Sequence, residues 1–371
     1  MGIPIEGGAA RERATITTFY SQDAWVEGKA ETQLAQVASW PGVRRVAAFP
    51  DLHPGKYGPV GSAVLADRLY PQLIGNDIGC GMAFFQLDLP TRKLKVAKAS
   101  DRLRALEGPC SGGADRLRAI GLTEDFGAAL GTIGGGNHFC EVQVVQEDTG
   151  LAAFGVDPSL VCLLVHSGSR GLGNWVLETV LARVDLVMDA ECEAAYRSSH
   201  DHAVAWAVLN RQVIAERAAS ALRADLRRIV DVPHNLVEPY AGGWLHRKGA
   251  ASADRPLVPL AGSRETSSYL LEPMEGERNL HSLAHGAGRK YDRASMHGRV
   301  GRKKSDLARM TQTSLGGRVI CEDRDLLIEE AATAYKRADM VVQELEQAEL
   351  ARSVGQLRPV ITFKRAKGGR A

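Results

Sequence analysis

The chain has 371 residues, 44% hydrophobic and 24% charged, enough to bury a substantial core in one large domain or two. Lys and Arg number 46 against 44 Asp and Glu, a formal net charge of +2, which excludes a strong overall attraction for a polyanion and leaves any nucleic-acid affinity to local clusters. No run is apolar enough for a signal peptide or a membrane span, and the six cysteines are scattered without a CxxC pair, so a soluble cytoplasmic protein with reduced thiols is expected.

In chain order, residues 33–40 read as a short helix leading into an apolar strand at 46–49, followed by the glycine-rich turns PDLHPGKYGPVG and GNDIGCGM. Residues 94–130 read as two or three short helices. A second glycine run, GTIGGGNHF, precedes the strand EVQVV, and SLVCLLV is a continuous apolar strand of the buried kind that ends at His166. From 174 to about 226 the pattern is helical, clearest in AVAWAVLNRQVIAERAASALRADL, after which RRIVDVPHN returns to strand and turn. A last strong helix is expected at 324–350, then PVITF and a short basic tail at 365–371. With no repeat, low-complexity tract or obvious linker, a single domain spanning 1–371 is expected, its helical layer packed on sheet.

Four places set a potential metal ligand among small, turn-forming neighbours: Asp77 and Cys80 in NDIGCGM, His138 in GGGNHF, His166 in VHSGSRG and His234 in PHN. Each alone is better explained as a hydrogen-bonded histidine or an inert core cysteine. Their shared context raises the metal reading, since glycines close to Asp77 and Cys80 let backbone approach an ion, and imidazole, carboxylate and thiolate together suit Mn, Zn, Fe or Co better than Mg or Ca. His285 lies in SLAHGAGRKYDR, followed at spacings of four and eight by Arg289 and Arg293, which would share a face if the segment were helical. Spacing leaves two readings open, a glycine turn with solvated basic residues or a nucleophilic histidine beside a phosphate-gripping fork.

The set GNDIGCGM, GGGNHFCE, HSGSRGLGN, HNLVE, HRKGA, HGAGR and EEAATAYKRAD resembles, in order and spacing, the RtcB family of RNA ligases over roughly 50–364, and the modest length together with the sequence departures given below resembles the subgroup coupled to release factor H. The resemblance implies a mixed α/β (α+β) fold with central sheets around a dinuclear metal cleft, flanked by helices. It implies two Mn ions, one on Cys80, His166 and His234, the other on Asp77, Cys80 and His138, with Cys80 bridging. It makes His285 the nucleophile that takes GMP from GTP. Asn137, Phe139, Glu141, Ser263, Gly288, Arg289, Tyr335 and Lys364 would bind the nucleotide, with Tyr335 on the base and Glu141 and Lys364 near guanine. Arg170 and Arg293 would meet RNA phosphate, and Asp51 and His53 would support the site.

The implied reaction moves GMP from His285 to an RNA 3′-phosphate, after which a 5′-hydroxyl attacks that end and expels GMP. A 2′,3′-cyclic phosphate would first be opened by hydrolysis. The alternatives are a dinuclear metal-dependent phosphohydrolase of RNA ends, against which the intact HGAGR argues, and a non-sealing RNA-end sensor. One departure stands out: LAGSRETSSY replaces a family pattern close to PGSMGTSSY, so Arg264 and Glu265 are expected either to rebuild the loop or to change guanine selectivity.

Overall fold

The computed structural model describes residues 14–182, 190–274 and 276–366. Its largest sheet places strands in the order Val258–Leu260, Ser268–Pro273, Ala351–Arg365, Phe139–Asp148, Leu160–Ser167, Gly81–Pro90 and Leu226–Pro233, with Arg318–Cys321 added in parallel to Ala351–Arg365. A five-stranded sheet packs against it, ordered Thr15–Thr18, Val43–His53, Val60–Ala66, Gly243–Lys248 and Asn235–Tyr240. Helices flank the sheets, giving the mixed α/β architecture that the resemblance implies.

Side-chain alternation along a strand explains the layering. Phe84 and Phe85 are adjacent and both fully buried, yet they enter different cores. Phe84 packs with Phe49, Ala63 and Leu245 between the two sheets, whereas Phe85 packs with Ile214 and Ala218 of the helix Ala190–Leu222 on the opposite face. SLVCLLV behaves the same way, with Cys162 and Leu164 on one side and Val161, Leu163 and Val165 on the other, as a strand covered on both faces requires.

The helix at 33–40 is Gly28–Ala38, and 94–130 holds the short helices Val96–Leu103 and Ala114–Ala119 with 3-10 turns between and after them. The 174–226 layer is two helices, Arg170–Leu181 and Ala190–Leu222; residues 183–189 lie outside the described ones, as do 367–371 of the basic tail. No helix among the described residues is long and apolar enough to cross a membrane.

The single helix expected at 324–350 is broken into Arg324–Glu329 and Ala338–Gln347. Nothing in EEAATAYKRAD forbids a helix locally, but propensity is a weak prior. Here Ala334 is fully buried with Met296 and Ile328, its carbonyl accepts from the Lys290 amide at 2.7 Å, and Glu330 is drawn into a buried ion cluster. These tertiary contacts unwind the middle of the segment.

Arg211, fully buried on Ala190–Leu222, ties the helix to the sheet ends. Its Nε and Nη2 donate to Asp231 at 3.0 and 2.6 Å, and Nη1 donates to the carbonyls of Gly79 and Ser167, each at 2.7 Å. Removing the cation strands a carboxylate and two carbonyls in the interior. Arg211→Met is expected to lower the unfolding free energy by about 3–5 kcal/mol, read by urea denaturation; a loss under about 1 kcal/mol would mean the interior relaxes around the gap.

Candidate active site and metal centre

Antiparallel pairing brings the metal-ligand candidates to one edge of the large sheet. Cys80 immediately precedes Gly81–Pro90, His138 precedes Phe139–Asp148, His166 lies at the end of Leu160–Ser167, and His234 follows Leu226–Pro233. The register pairs Phe139 and Met82 with His166, and Gly81 with Pro233, so Cys80, His138 and His234 leave their strands within two positions of the row that holds His166.

Cys80 Sγ lies 3.1 Å from His166 Nε2 and 3.3 Å from His138 Nε2. His166 Nε2 lies 3.3 Å from His234 Nε2, and His138 Nε2 lies 2.9 Å from Asp77 Oδ2. The chain of contacts therefore runs Asp77, His138, Cys80, His166, His234, with the cysteine at its centre. Burial, reinforced by neighbouring histidines, pushes the His166 and His234 imidazoles well below their ordinary range, so both are held in the neutral, ligand-competent form. Burial also pushes the Cys80 thiol up, with Asp77 adding to the effect. Asp77 stays ionised because the adjacent His138 outweighs its own burial.

The donor chemistry fits metal binding better than a closed hydrogen-bond network. His138 Nδ1 and His234 Nδ1 are buried without partners, and the His166 and His234 ring nitrogens facing one another at 3.3 Å, with the Cys80 thiol on the other side of His166, offer more lone pairs than protons. Cys80, His138 and His166 already bring their donor atoms within 4.8 Å of one another, and an N, S and O set of this kind suits borderline transition ions.

His285 adjoins this cluster, its ring 4.5 Å from that of His234, centroid to centroid. Its Nδ1 lies 2.7 Å from Oδ2 of the fully buried Asp51, and its backbone amide donates to the same oxygen at 3.2 Å. The buried carboxylate thus sits against the Nδ1 edge of the imidazole and leaves Nε2 on the other side of the ring. Lys336 Nζ donates to the carbonyls of Pro50 and Leu52, at 2.9 and 2.8 Å, holding the strand end that carries Asp51. His53 is part of the same end, its Nδ1 2.8 Å from the Asp51 carbonyl.

A cavity of about 820 Å³ contains the whole arrangement, and every residue that the sequence singled out for metal, nucleotide, RNA phosphate or nucleophile lines it. Two of them shape the glycine loop beside the metal ligands. Gly134 and Gly136 have φ of +107° and +62°, and a Cβ there would lie 2.2 Å from Arg170 Nη1 and 2.8 Å from Arg293 Nη2 respectively, so the loop is bare where the two arginines lie against it. Asn137 lies in the same loop and its carbonyl faces His166 Nδ1 at 3.2 Å.

Arg289 and Arg293 do not share a helix face. Arg289 is in a loop and Arg293 opens the short helix Arg293–Met296; they converge instead on Glu330, at 3.0 and 3.3 Å. Lys364 approaches the same carboxylate at 3.6 Å and the Tyr335 hydroxyl donates to it. Burial opposes ionisation of Glu330, but Lys364 and the two arginines hold it at about 2. The sequence motif EEAATAYKRAD by itself assigns Glu330 no role; its one signal is a carboxylate pair preceding alanines in a chain with several candidate site cations.

Glu141 accepts from Gln143 at 2.7 Å and from Thr362, and burial pushes its carboxyl up to about 7. The loop that carries Arg264 and Glu265 is a tight turn: Ser263 amide donates to Thr266 Oγ1 at 2.7 Å and Glu265 amide to Ser263 Oγ at 3.3 Å. Glu265 is not among the residues with positive φ, so the glutamate fits the turn as it stands. Arg264 folds inward, 5% exposed, with Nη2 donating to the Leu327 carbonyl at 3.1 Å. Gly288 and Phe139 complete the wall near His285 and His166.

A family model described as tRNA-splicing ligase RtcB matches residues 33–124 and 107–365. Among curated proteins, the chain is 42% identical to the RNA-splicing ligase RtcB2 of Escherichia coli, over 95% of this chain and 96% of that protein. It is 27% identical to the RNA-splicing ligase RtcB of Mycobacterium tuberculosis, over 88% of this chain and 99% of that one. It is also 27% identical to the tRNA-splicing ligase RtcB of Archaeoglobus fulgidus, over 90% and 91% respectively.

Proposed function

Because the chain belongs to the RtcB family of RNA ligases, we propose that it seals RNA 3′-phosphate or 2′,3′-cyclic phosphate ends to 5′-hydroxyl ends, using GTP, two manganese ions and a guanylylated His285, in RNA repair or splicing. The observation that carries this reading is the contact of His285 with the fully buried Asp51 on one side and the His234 side of an N, S and O cluster on the other, His285 and the cluster lining one cavity. Coupling to release factor H is part of the same proposal and rests on the sequence resemblance.

Asp77, Cys80, His138, His166 and His234 would hold the two ions, which when bound supply charge neutralisation for phosphate and a Lewis acid beside the leaving group. His285 Nε2 attacks the α-phosphorus of GTP, the bond to the β-phosphate breaks and pyrophosphate leaves, while Asp51 keeps the ring oriented and stabilises the positive charge that develops on the imidazole. Arg170 and Arg293, facing the same glycine loop, grip the RNA phosphate that receives GMP. Glu141 accepts from the guanine edge, Lys364 donates to it, and Tyr335 packs on the base.

Purified protein offered the four combinations of 3′-phosphate or 3′-hydroxyl with 5′-hydroxyl or 5′-phosphate should join only 3′-phosphate to 5′-hydroxyl. Efficient joining of 3′-hydroxyl to 5′-phosphate would overturn the proposal. Arg170→Ala and Arg293→Ala should slow sealing by roughly 10- to 100-fold while the GMP adduct still forms; equal loss of both steps would assign them to the nucleotide instead.

The Glu141 carboxyl, held at about 7 by burial, must be ionised to accept two guanine N–H groups. GMP binding without added metal should therefore strengthen as pH rises through about 7 and level off above it, with proton release on binding. Calorimetry in buffers of different ionisation enthalpy reads this out. Glu141→Gln should bind weakly at every pH with a flat profile, and a wild-type profile flat between pH 6 and 8 would remove Glu141 from the guanine edge.

A further inference from the structure

The segment 289–309, RKYDRASMHGRVGRKKSDLAR, holds eight Lys or Arg against two acidic residues in a chain whose overall surplus is only +2. Several surface cations elsewhere are paired, as Arg118 is with Asp115 and Glu124, or Arg337 with Asp339. Within the segment Arg299, Arg302 and Lys304 are exposed, and among the described residues none of them has an ion-pair partner. A small apolar core of Met296 and Ile328, with Tyr291, Val300 and Leu307 packed against it, keeps the segment folded.

Aromatic rings are interleaved with these charges. Trp25 is 41% exposed and meets Tyr291 edge-on, with ring centroids 6.4 Å apart. Lys290 Nζ lies 5.9 Å from the Trp25 ring and 5.5 Å from Tyr291, Lys336 Nζ lies 5.7 Å from Trp25, and the Arg299 guanidinium covers Tyr291 at 3.7 Å. A merely solvated charged face has no need to hold an indole half out of the core. The platform is also continuous with the cavity wall: Arg289 and Arg293 of the same segment line the cavity, and Lys336 braces the strand end on either side of Asp51.

We propose that this surface is the seat of the single-stranded RNA just outside the cleft, one base stacking on Trp25 and the neighbouring phosphates meeting Arg299, Arg302 and Lys304. The proposal rests on the RNA-ligase reading for its choice of polyanion. Stacking on an exposed aromatic and contact with unpaired cations tolerate any sequence, which suits an enzyme that recognises ends. Each cation adds to affinity through release of counterions from the strand, so its contribution shows as salt dependence.

The test is fluorescence anisotropy of a dye-labelled single-stranded RNA of about twelve nucleotides with hydroxyl at both ends, titrated with the full chain at several salt concentrations. Trp25→Ala should weaken binding roughly tenfold or more and Trp25→Phe should restore most of it. Arg302→Glu combined with Lys304→Glu should weaken binding and lower the slope of log affinity against log salt by about 0.7 for each lost contact. The GMP adduct, which forms without RNA, should be unchanged in all three variants. Because the RNA bears no reactive end, this binding test stands even if no adduct forms in the wild type and the ligase mechanism fails. Should Trp25→Ala fail to fold, the paired charge reversal at exposed positions carries the test alone. Unchanged affinity and salt slope in the charge-reversed protein overturn the proposal and leave this face to an acidic protein partner.

Discussion

His285→Ala should carry no GMP after incubation with labelled GTP and manganese, whereas the wild type should show one acid-labile GMP per chain by intact-mass spectrometry. The expected loss is complete rather than partial, because the cavity offers no equivalent nucleophile. Of the lysines that line it, Lys56 is exposed beside the Tyr57 ring, and the two buried ones are engaged: Lys248 Nζ donates to the Ile74 carbonyl at 2.6 Å, and Lys364 faces Glu330 at 3.6 Å. Burial lowers the pKa of both, which would favour attack, so mapping the modified residue is a necessary part of the measurement. An adduct on either lysine, or any adduct persisting in the alanine variant, would overturn the role of His285. Metal content should survive the substitution, since the ring meets the cluster through His234 alone.

Cys80→Ser should bind little metal and seal no RNA. The thiol lies between two imidazole nitrogens at 3.1 and 3.3 Å, the position from which one atom reaches both proposed ions. A serine hydroxyl is smaller, harder and much less acidic than a thiol, so it is a poor bridge. Folding should persist, because the neighbouring backbone is held by Arg211 and by the pairing of Gly81 with Pro233 and Ser167. Inductively coupled plasma analysis of the folded variant decides the matter: full occupancy of two ions would remove Cys80 from the centre.

The site was readable from the sequence where chemistry and backbone freedom coincide. Asp77, Cys80, His138 and His166 are reactive residue types close to glycines, and His234 follows a proline, so a turn could be expected at each. What could not be read was anything that depends on distant pairing. Arg211 looks like an ordinary helix cation within AVAWAVLNRQVIAERAAS, yet it is fully buried and bonded to residues 20 to 132 positions away. Glu330 looks like part of a continuous helix, and only the arrival of Arg289, Arg293 and Lys364 explains why the helix stops there. The spacing of Arg289 and Arg293 suggested a helical face; they meet through a shared carboxylate instead. Layering of the sheets was legible in the doubly apolar strand SLVCLLV, but which core each residue joins required the register.

The alternation of Phe84 and Phe85 makes Gly81–Pro90 a ruler with Cys80 at its zero mark. Deleting or inserting one residue after Cys80 would exchange the two cores along the whole strand, sending Phe84 toward the helix and Phe85 between the sheets. The strand could recover its packing only by sliding one place, and that slide would drag the sulfur about 3.3 Å along the sheet, a full residue's rise away from His166. Length changes of a single residue are thus excluded between Cys80 and Leu87 by packing and by metal geometry at once, whereas substitutions of similar volume remain open to the chain.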